Sequence, residues 1–311
     1  MNVLVLLPLT EAQRATLESG APDAAYTYAT KLDVTDEQIA AAEVIVGNLD
    51  PARLPAARSL RLLQLNSAGY DKYSAPGTVP EGAALTCAVG AYGQAVSEHM
   101  FAMILAMMKH LDGYRDDGRG HLWTDRGQVT TFAGAQVLVL GAGDIGTHFA
   151  KLAGSFGAHV TGVRRRVGEV PEGFDAIRSM GDLPDLLPDA DVVISFLPSS
   201  PATRGLADAA FFARCKPGSY FANGGRGDLV VQADLIAALE SGQIAGAALD
   251  VTTPEPLPAD DPLWDAPNIF ITPHVAGQFH LPTVLTNIAA ITADNLARLQ
   301  AGEPLRNLVE L

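Results

Sequence analysis

Residues 135–146 read AQVLVLGAGDIG, an apolar run followed by glycines spaced as Gly-x-Gly-x-x-Gly. The run predicts a buried strand, and the residues after the glycines predict a helix over residues 148–155. At such a junction Gly141 permits the tight turn, Gly143 lets the backbone approach a pyrophosphate, and Gly146 lets the helix pack closely on the strand. The stretch therefore favours a parallel α/β domain that binds a dinucleotide, rather than a tight turn without a ligand. The predicted cofactor contacts in the turn are Gly141, Gly143, Asp144, Ile145 and Gly146.

The end of the next predicted strand, at residues 159–163, bears on which dinucleotide is bound. A site that prefers NAD places an Asp or Glu there, whose carboxylate accepts hydrogen bonds from the ribose 2′-hydroxyl. Here the chain reads Arg164, Arg165 and Arg166. Guanidinium groups suit a 2′-phosphate, so we predict that NADP(H) is preferred, through Arg164 and Arg165, with NAD(H) as the second cofactor. The alternative interpretation is a solvated basic loop.

Apolar runs alternate with helical stretches in both parts of the chain, four of them within the first 95 residues and six from residue 135 onward. Such alternation is typical of parallel sheets with crossover helices. We therefore predict an α/β fold with two Rossmann-like, doubly wound parallel-sheet domains and a cleft between them. A flavodoxin-like substrate-binding domain is expected over residues 1–94 and 283–311, and a dinucleotide-binding Rossmann domain over residues 95–282.

Between the two series, residues 94–114 read QAVSEHMFAMILAMMKHLDGY and predict one helix that is apolar almost all round. A helix of this kind is buried between domains or against a second subunit. We therefore predict a homodimer formed through the region of residues 94–115. Glu98 and His99 are adjacent, point in different directions on the helix, and are interpreted as structural residues rather than as a catalytic pair. A last amphipathic helix is predicted over residues 282–301.

Composition excludes several classes of protein. With 311 residues, 48% hydrophobic and 18% charged, the chain has room for two domains and is neither disordered nor a coiled coil. Its net charge of -14 repels phosphate backbones and anionic lipid heads, so no nucleic-acid or membrane partner is expected. Two cysteines are too few for a disulfide framework, and no metal site is expected. The opening MNVLVLLPLT lacks the basic region of a signal peptide, which predicts a cytoplasmic protein.

Polar residues follow three of the later predicted strands. They lie in NGGRGDLV, with Arg226, in DVTTPEP, with Asp250 and Glu255, and in ITPHVAG, with His274. Open α/β sheets bind their ligands at the carboxyl ends of strands, so these side chains are expected to contribute to one site. With GAGDIG, LPSSPATRG and NSAGYD, the segments resemble, in order and over nearly the whole chain, the D-isomer-specific 2-hydroxyacid dehydrogenase family. The closest resemblance within it is to NADP-preferring members of the glyoxylate/hydroxypyruvate reductase kind.

The resemblance implies an oxidoreductase that exchanges a hydride between a nicotinamide and a small-molecule 2-oxo or 2-hydroxy acid. It implies that His274 is the general acid or base and that Arg226 binds the substrate carboxylate and keto oxygen. It also implies that Glu255 hydrogen-bonds the other ring nitrogen of His274 and holds its tautomer. Taken singly, the three have structural interpretations, as a packed histidine, a Glu-Pro loop and an Arg-Gly turn.

The same resemblance assigns supporting roles. Asp250 would accept a hydrogen bond from the nicotinamide carboxamide. The remaining implied cofactor contacts are Leu197, Pro198, Thr203, Gly224 and Gly225. The substrate carboxylate would meet the backbone N–H groups of Ser67, Ala68 and Gly69, a nest that binds anions without a charged side chain; the alternative there is an ordinary turn.

Two other functions remain open for such a chain. Some relatives use this scaffold as dinucleotide-sensing binding proteins or corepressors, and others oxidise formate. A formate-type enzyme needs no proton donor, so Glu255 and His274 favour reduction of a 2-oxo acid to the D-2-hydroxy acid.

Overall fold

The computed structural model describes residues 1–310, and its strands form two parallel β-sheets covered by helices. The strands, in chain order, are β1 (Asn2–Val5), β2 (Ala25–Tyr28), β3 (Val44–Val46), β4 (Leu62–Gln64), β5 (Ala84–Thr86), β6 (Gln136–Leu140), β7 (His159–Arg164), β8 (Ala176–Ser179), β9 (Val192–Ser195), β10 (Ser219–Asn223), β11 (Ile244–Leu249) and β12 (Ile269–Ile271). The α-helices are α1 (Glu11–Glu18), α2 (Asp36–Ala41), α3 (Gly93–Met108), α4 (Leu111–Arg119), α5 (Asp144–Ser155), α6 (Leu183–Leu186), α7 (Ala209–Arg214), α8 (Gln232–Glu240) and α9 (Pro282–Ala301). The predicted α/β class with two parallel sheets is confirmed.

The chain divides into two units. The first consists of Met1–Tyr92 and the segment that begins at Phe279, and the second is Gly93–Gln278. The first unit holds the five-stranded sheet, in the order β2-β1-β3-β4-β5. One face buries Leu4, Ile45 and Leu63, which are register partners on neighbouring strands, and the other face buries Val3, Val44 and Leu62. All six are at most 1% exposed, so the central strands are covered on both faces.

Helix α9 occupies the span predicted for the last amphipathic helix and belongs to the first unit, where it packs against α1. It buries one face, including Val284, Ile288 and Leu296. Gly302, with φ +68°, ends it in the left-handed conformation that glycine adopts without strain.

The second unit holds the seven-stranded sheet, in the order β12-β11-β10-β9-β6-β7-β8. The first strand of this sheet along the chain, β6, lies inside it, and β7 and β8 follow on one side of β6 out to the edge. The next strand, β9, lies on the other side of β6. The order therefore reverses between β6 and β9, and ligands bind at such switch points in open α/β sheets.

The prediction of one continuous helix over residues 94–114 is wrong. The chain forms α3 and α4, and His110 between them has φ +53°, a left-handed conformation that interrupts the helical backbone. Nine residues of α3 are buried and the helix packs on α5, whereas α4 has no buried residue. Neither α3 nor any other helix within residues 1–310 is long and apolar enough to cross a membrane.

Candidate active site

The carboxyl ends of β6, β7, β9, β10, β11 and β12 carry the residues singled out in the second unit. Because the strands are parallel, these ends lie along one edge of the sheet. The edge therefore gathers the glycine turn, the arginines and the segments that contain Arg226, Asp250 and His274.

The glycine turn follows β6 and needs glycine for a different reason at each position. Gly141 has φ +102°, and a Cβ there would lie 3.1 Å from the backbone carbon of Phe196. A Cβ on Gly146 would lie 2.2 Å from the carbonyl oxygen of Gly141, so the helix packs directly on the turn. A Cβ on Gly143 would meet nothing within 4 Å, which leaves open space in front of the backbone. The turn fits a pyrophosphate.

Helix α5 begins at Asp144, four residues before the predicted start, with Gly143 as its N-cap. The predicted contacts Asp144, Ile145 and Gly146 therefore lie in its first turn. No side chain caps this helix, so its first N–H groups can serve an anion, assisted by the helix dipole. The Asp144 carboxylate is turned along the helix, with Oδ1 3.5 Å from Nδ1 of His148.

The three arginines after the turn differ in their surroundings. Arg164 ends β7 and is half-buried, and its Nη2 donates a 2.5 Å hydrogen bond to the carbonyl oxygen of Glu169. Arg165 and Arg166 are exposed. Arg164 therefore braces the loop after β7, and Arg165 is the predicted phosphate contact whose guanidinium faces solvent.

The loop after β9 contains Leu197, Pro198 and Thr203. The Thr203 hydroxyl donates to the carbonyl oxygen of Pro198 at 2.7 Å and accepts from the backbone N–H of Ser200 at 2.9 Å. Thr203 is buried, so its hydroxyl closes the loop on itself. Thr203 thus shapes the loop that the resemblance assigns to the cofactor.

Asn223, the last residue of β10, organises the loop that carries Arg226, and sequence reasoning missed it. Asn223 is fully buried, its Nδ2 donates to the carbonyl oxygen of Arg226 at 2.9 Å, and its Oδ1 accepts from the N–H of Gly225 at 3.1 Å. A Cβ on Gly225 would lie 2.5 Å from the carbonyl oxygen of Leu197, and one on Gly224 would lie 3.0 Å from the Met100 side chain. The asparagine before two glycines at a strand end was the available signal.

Glu255 and His274 are brought into direct contact. The Nδ1 atom of His274 lies 2.8 Å from Oε2 of Glu255, and the other Glu255 oxygen accepts from the N–H of Thr252 at 3.2 Å. An ionised carboxylate only accepts, so Nδ1 carries a proton and Nε2 remains for a substrate. The His274 side chain is 48% exposed, and its φ of +52° is rare for a residue other than glycine.

Asp250 is 3% exposed and secures the segment around His274. Its Oδ1 accepts from the Thr272 hydroxyl at 2.6 Å and from the N–H of Val275 at 3.0 Å, and its Oδ2 accepts from the N–H of Ala276 at 3.1 Å. Its backbone oxygen also accepts from the N–H of His274 at 2.8 Å. Asp250 therefore fixes residues 272–276 from the neighbouring strand end.

In the first unit, Ser67, Ala68 and Gly69 follow β4. Within residues 1–310, no acceptor is found for their three backbone N–H groups, as an anion-binding nest requires. The Ser67 hydroxyl donates to the carbonyl oxygen of Gly69 at 2.5 Å and stabilises the turn.

A pair of asparagines that sequence reasoning missed supports this turn. The Asn48 N–H donates to Oδ1 of Asn66 at 2.7 Å, and the Asn66 N–H donates to Oδ1 of Asn48 at 3.0 Å. The Asn48 amide also donates to the Ser67 hydroxyl at 3.1 Å, and the Tyr92 hydroxyl donates to the Asn66 carbonyl oxygen. Two adjacent strand ends are thereby joined beneath the nest.

Known proteins are similar to this chain in both sequence and fold. The family model for the NAD-binding domain of D-isomer specific 2-hydroxyacid dehydrogenases matches residues 101–276. Glyoxylate/hydroxypyruvate reductase B of Citrobacter koseri is 32% identical over 284 residues, which cover 88% of this chain and 86% of that protein.

Solved structures agree. A D-isomer specific 2-hydroxyacid dehydrogenase family protein from Aeromonas salmonicida superimposes with a TM-score of 0.87 at 32% identity, covering 99% of this chain and 98% of that one. The NADPH-dependent glyoxylate/hydroxypyruvate reductase of Sinorhizobium meliloti, crystallised with NADP and sulfate, gives a TM-score of 0.83 at 27% identity, with coverage of 99% and 98%. The glycine turn and the strand-end residues agree with these similarities. The chain therefore belongs to the D-isomer specific 2-hydroxyacid dehydrogenases, oxidoreductases that use a nicotinamide dinucleotide.

Proposed function

We propose that this chain uses NADPH to reduce a small 2-oxo acid, of the size of glyoxylate or hydroxypyruvate, to the D-2-hydroxy acid. The observation that carries the proposal is the 2.8 Å contact between Glu255 and His274, at the same sheet edge as the glycine turn. A binding protein that only senses a dinucleotide needs neither a proton donor nor a carboxylate that orients it.

The bound dinucleotide would supply the hydride. In the protonated ring of His274, Nδ1–H is held by Glu255, and Nε2–H donates its proton to the oxygen of the reduced carbonyl. The ring is left neutral, and it regains its proton from solvent, to which it is half exposed. The same atoms run the oxidation of a 2-hydroxy acid in reverse, with Nε2 as the base.

The Arg226 guanidinium would bind the substrate carboxylate. The N–H groups of Ser67, Ala68 and Gly69 are also assigned to substrate binding, as an anion-binding nest. A guanidinium offers two parallel donors, which fix the orientation of a carboxylate and stabilise charge that develops on the carbonyl oxygen. The buried Asn223 and the paired Asn48 and Asn66 hold these two donor sets in shape.

We assign the preference for NADPH to Arg164 and Arg165. The support is the absence of an acidic residue at the end of β7, the exposed guanidinium of Arg165, and the relative from Sinorhizobium meliloti whose structure holds NADP. Positive charge at this point also offsets the net charge of -14, which would otherwise repel an anionic cofactor.

A homodimer formed through the region of residues 94–115 is part of the proposal. Helix α4 begins in this region and has no buried residue, and Leu111 at its start is 55% exposed. Both cysteines are free, in keeping with the reducing cytoplasm as the proposed location.

The test follows nicotinamide absorbance after the protein is mixed with NADPH or NADH and a series of 2-oxo acids, from glyoxylate and hydroxypyruvate to branched and aromatic members. We expect NADPH to be oxidised fastest with the smallest substrates, and the product to be the D isomer by chiral chromatography. Tight binding of NADPH without turnover of any 2-oxo acid would overturn the proposal in favour of a dinucleotide sensor.

A further inference from the structure

We infer that His99, on helix α3, is a positioning residue for the reaction that acts through Thr272 and Asp250 on the segment carrying His274. The inference rests on the proposed function, because it assigns the effect of His99 to the proposed general acid. It refines the structural role that the sequence suggested for this residue.

The contacts of Thr272 determine which nitrogen of His99 is protonated. The Thr272 hydroxyl has one hydrogen and three candidate acceptors, which are Oδ1 of Asp250 at 2.6 Å, an unprotonated Nε2 of His99 at 3.0 Å and the sulfur of Met103 at 3.7 Å. A carboxylate is much the strongest acceptor, so the hydroxyl donates to Asp250. Its oxygen then accepts from Nε2 of His99, 3.0 Å away, and this nitrogen must carry a proton.

The consequence falls on Asp250. A buried carboxylate is stable only when its oxygens are well supplied with donors. The Thr272 hydroxyl and the N–H groups of Val275 and Ala276 supply them, and Nε2 of His99 lies 3.8 Å from Oδ1. Without His99, the Thr272 hydroxyl loses the donor that holds its oxygen in place, and the Nε2–H group beside Oδ1 of Asp250 is lost as well. Both losses weaken the hold of Asp250 on residues 272–276.

Helix α3 holds His99 in position for this relay, the series of hydrogen bonds from His99 through Thr272 to Asp250. It packs on α5 and β11, and a Cβ on Gly93 at its first residue would lie 2.2 Å from the His148 ring. The neighbouring Glu98 is engaged elsewhere, since its carboxylate accepts from the Gln94 amide at 2.8 Å. His99 is therefore the member of the adjacent pair that reaches the strand ends.

The experiment compares four variants, His99→Ala, His99→Gln, Thr272→Val and the double variant His99→Ala with Thr272→Val. The amide of Gln places a donor near the position of Nε2, so it should restore the relay. His159→Ala is the control, because His159 is an exposed histidine at the opposite, amino-terminal end of β7.

We expect His99→Ala to lower kcat with glyoxylate about tenfold, as losses of supporting residues around reactive groups do, with little change in KM for glyoxylate. His99→Gln and His159→Ala should stay within about threefold of the unaltered chain. In the Thr272→Val background, the additional loss of His99 should cost almost nothing, because the relay is already broken. A normal kcat in His99→Ala, equal losses in the Ala and Gln variants, or multiplying effects in the double variant would overturn the inference.

Binding of NADPH, followed by its fluorescence without substrate, separates this inference from the proposed function. If the unaltered chain reduces none of the 2-oxo acids, the proposed function fails by itself. The effect of His99 can then still be measured through cofactor binding, because the resemblance implies that Asp250 contacts the nicotinamide. We expect a several-fold weaker affinity for NADPH in His99→Ala and a normal affinity in His99→Gln. Equal affinities in the unaltered chain and His99→Ala would overturn the inference in that case.

Discussion

At the scale of single residues, the Glu255 carboxylate accepts two hydrogen bonds, one from Nδ1–H of His274 and one from the N–H of Thr252. Glu255→Gln keeps the shape but replaces one acceptor with a donor, so one of the two contacts becomes repulsive. We expect kcat for 2-oxo acid reduction to fall about 100-fold, because the ring loses the partner that fixes its tautomer. Steady-state kinetics checks this, with Glu172→Gln, an exposed side chain paired with Lys151, as the control. A kcat equal to that of the control would contradict the role of Glu255.

The arginines after β7 give a second residue-scale prediction. Arg165→Asp reverses the charge at the proposed 2′-phosphate contact, and NADH has no such phosphate to lose. We expect NADPH affinity to fall at least tenfold while NADH affinity changes little, measured by cofactor fluorescence or calorimetry. Arg58→Asp, at an exposed arginine of the first unit, makes the same change of charge elsewhere. Equal losses for both cofactors would remove the basis for an NADP preference.

At the scale of elements, the strands that have apolar runs could be predicted from the sequence, whereas the two strands without such runs could not. The missed strands, β2 and β8, are edge strands with alternating or partial exposure, so their residues show no continuous apolar run. The break between α3 and α4 was hidden because it depends on the backbone angle of His110, which no helix-breaking residue announces. Likewise, Glu255 and His274 lie in recognisable sequence motifs. Asn48 and Asn66 lie in no such motif, and their pairing depends on β3 and β4 lying side by side in the sheet.

The asparagine pair at the ends of β3 and β4 leads to a prediction about this element. Asn48→Ala removes the acceptor for the Asn66 N–H and the donor to the Ser67 hydroxyl. Because the turn of Ser67, Ala68 and Gly69 then loses its support, KM for the 2-oxo acid should rise about tenfold with a smaller change in kcat, alongside a stability loss of about 1–3 kcal/mol. Kinetics and urea unfolding measure both. Asn287→Ala, at a long 3.4 Å contact to Ala91, is the control, and a KM no higher than in that variant would contradict the assignment.

At the scale of the whole molecule, buried ionisable groups predict how stability depends on pH. Burial raises the pKa of Tyr73, Tyr92 and Cys215 to about 12, from ordinary values of 10.0 for tyrosine and 9.0 for cysteine. The folded chain thus holds these protons more tightly than the unfolded chain, so their contribution to stability is complete below about pH 9 and is lost as the pH rises toward 12. Urea unfolding near pH 8 and near pH 10.5 should show a lower free energy of unfolding at the higher pH. Tyr92→Phe should show a smaller drop, and an equal drop would contradict its part in the effect.

The proposed homodimer can be tested with the chain's own tryptophans, of which there are two. In the single chain Trp123 is completely exposed and Leu122 beside it is 59% exposed, in a segment that follows α4, whereas Trp264 is 46% exposed. Two neighbouring apolar side chains with this much exposure are typical of a surface that a second copy of the chain covers.

In Trp264→Phe the fluorescence emission comes from Trp123 alone. We expect its emission maximum at a shorter wavelength than that of free tryptophan in the dimer, and we expect the maximum to move toward that of free tryptophan as dilution separates the subunits. Sedimentation should show the same transition, and Leu111→Asp should shift it to higher protein concentration. Emission like that of free tryptophan at every concentration, with a sedimenting monomer, would contradict a dimer formed through this region.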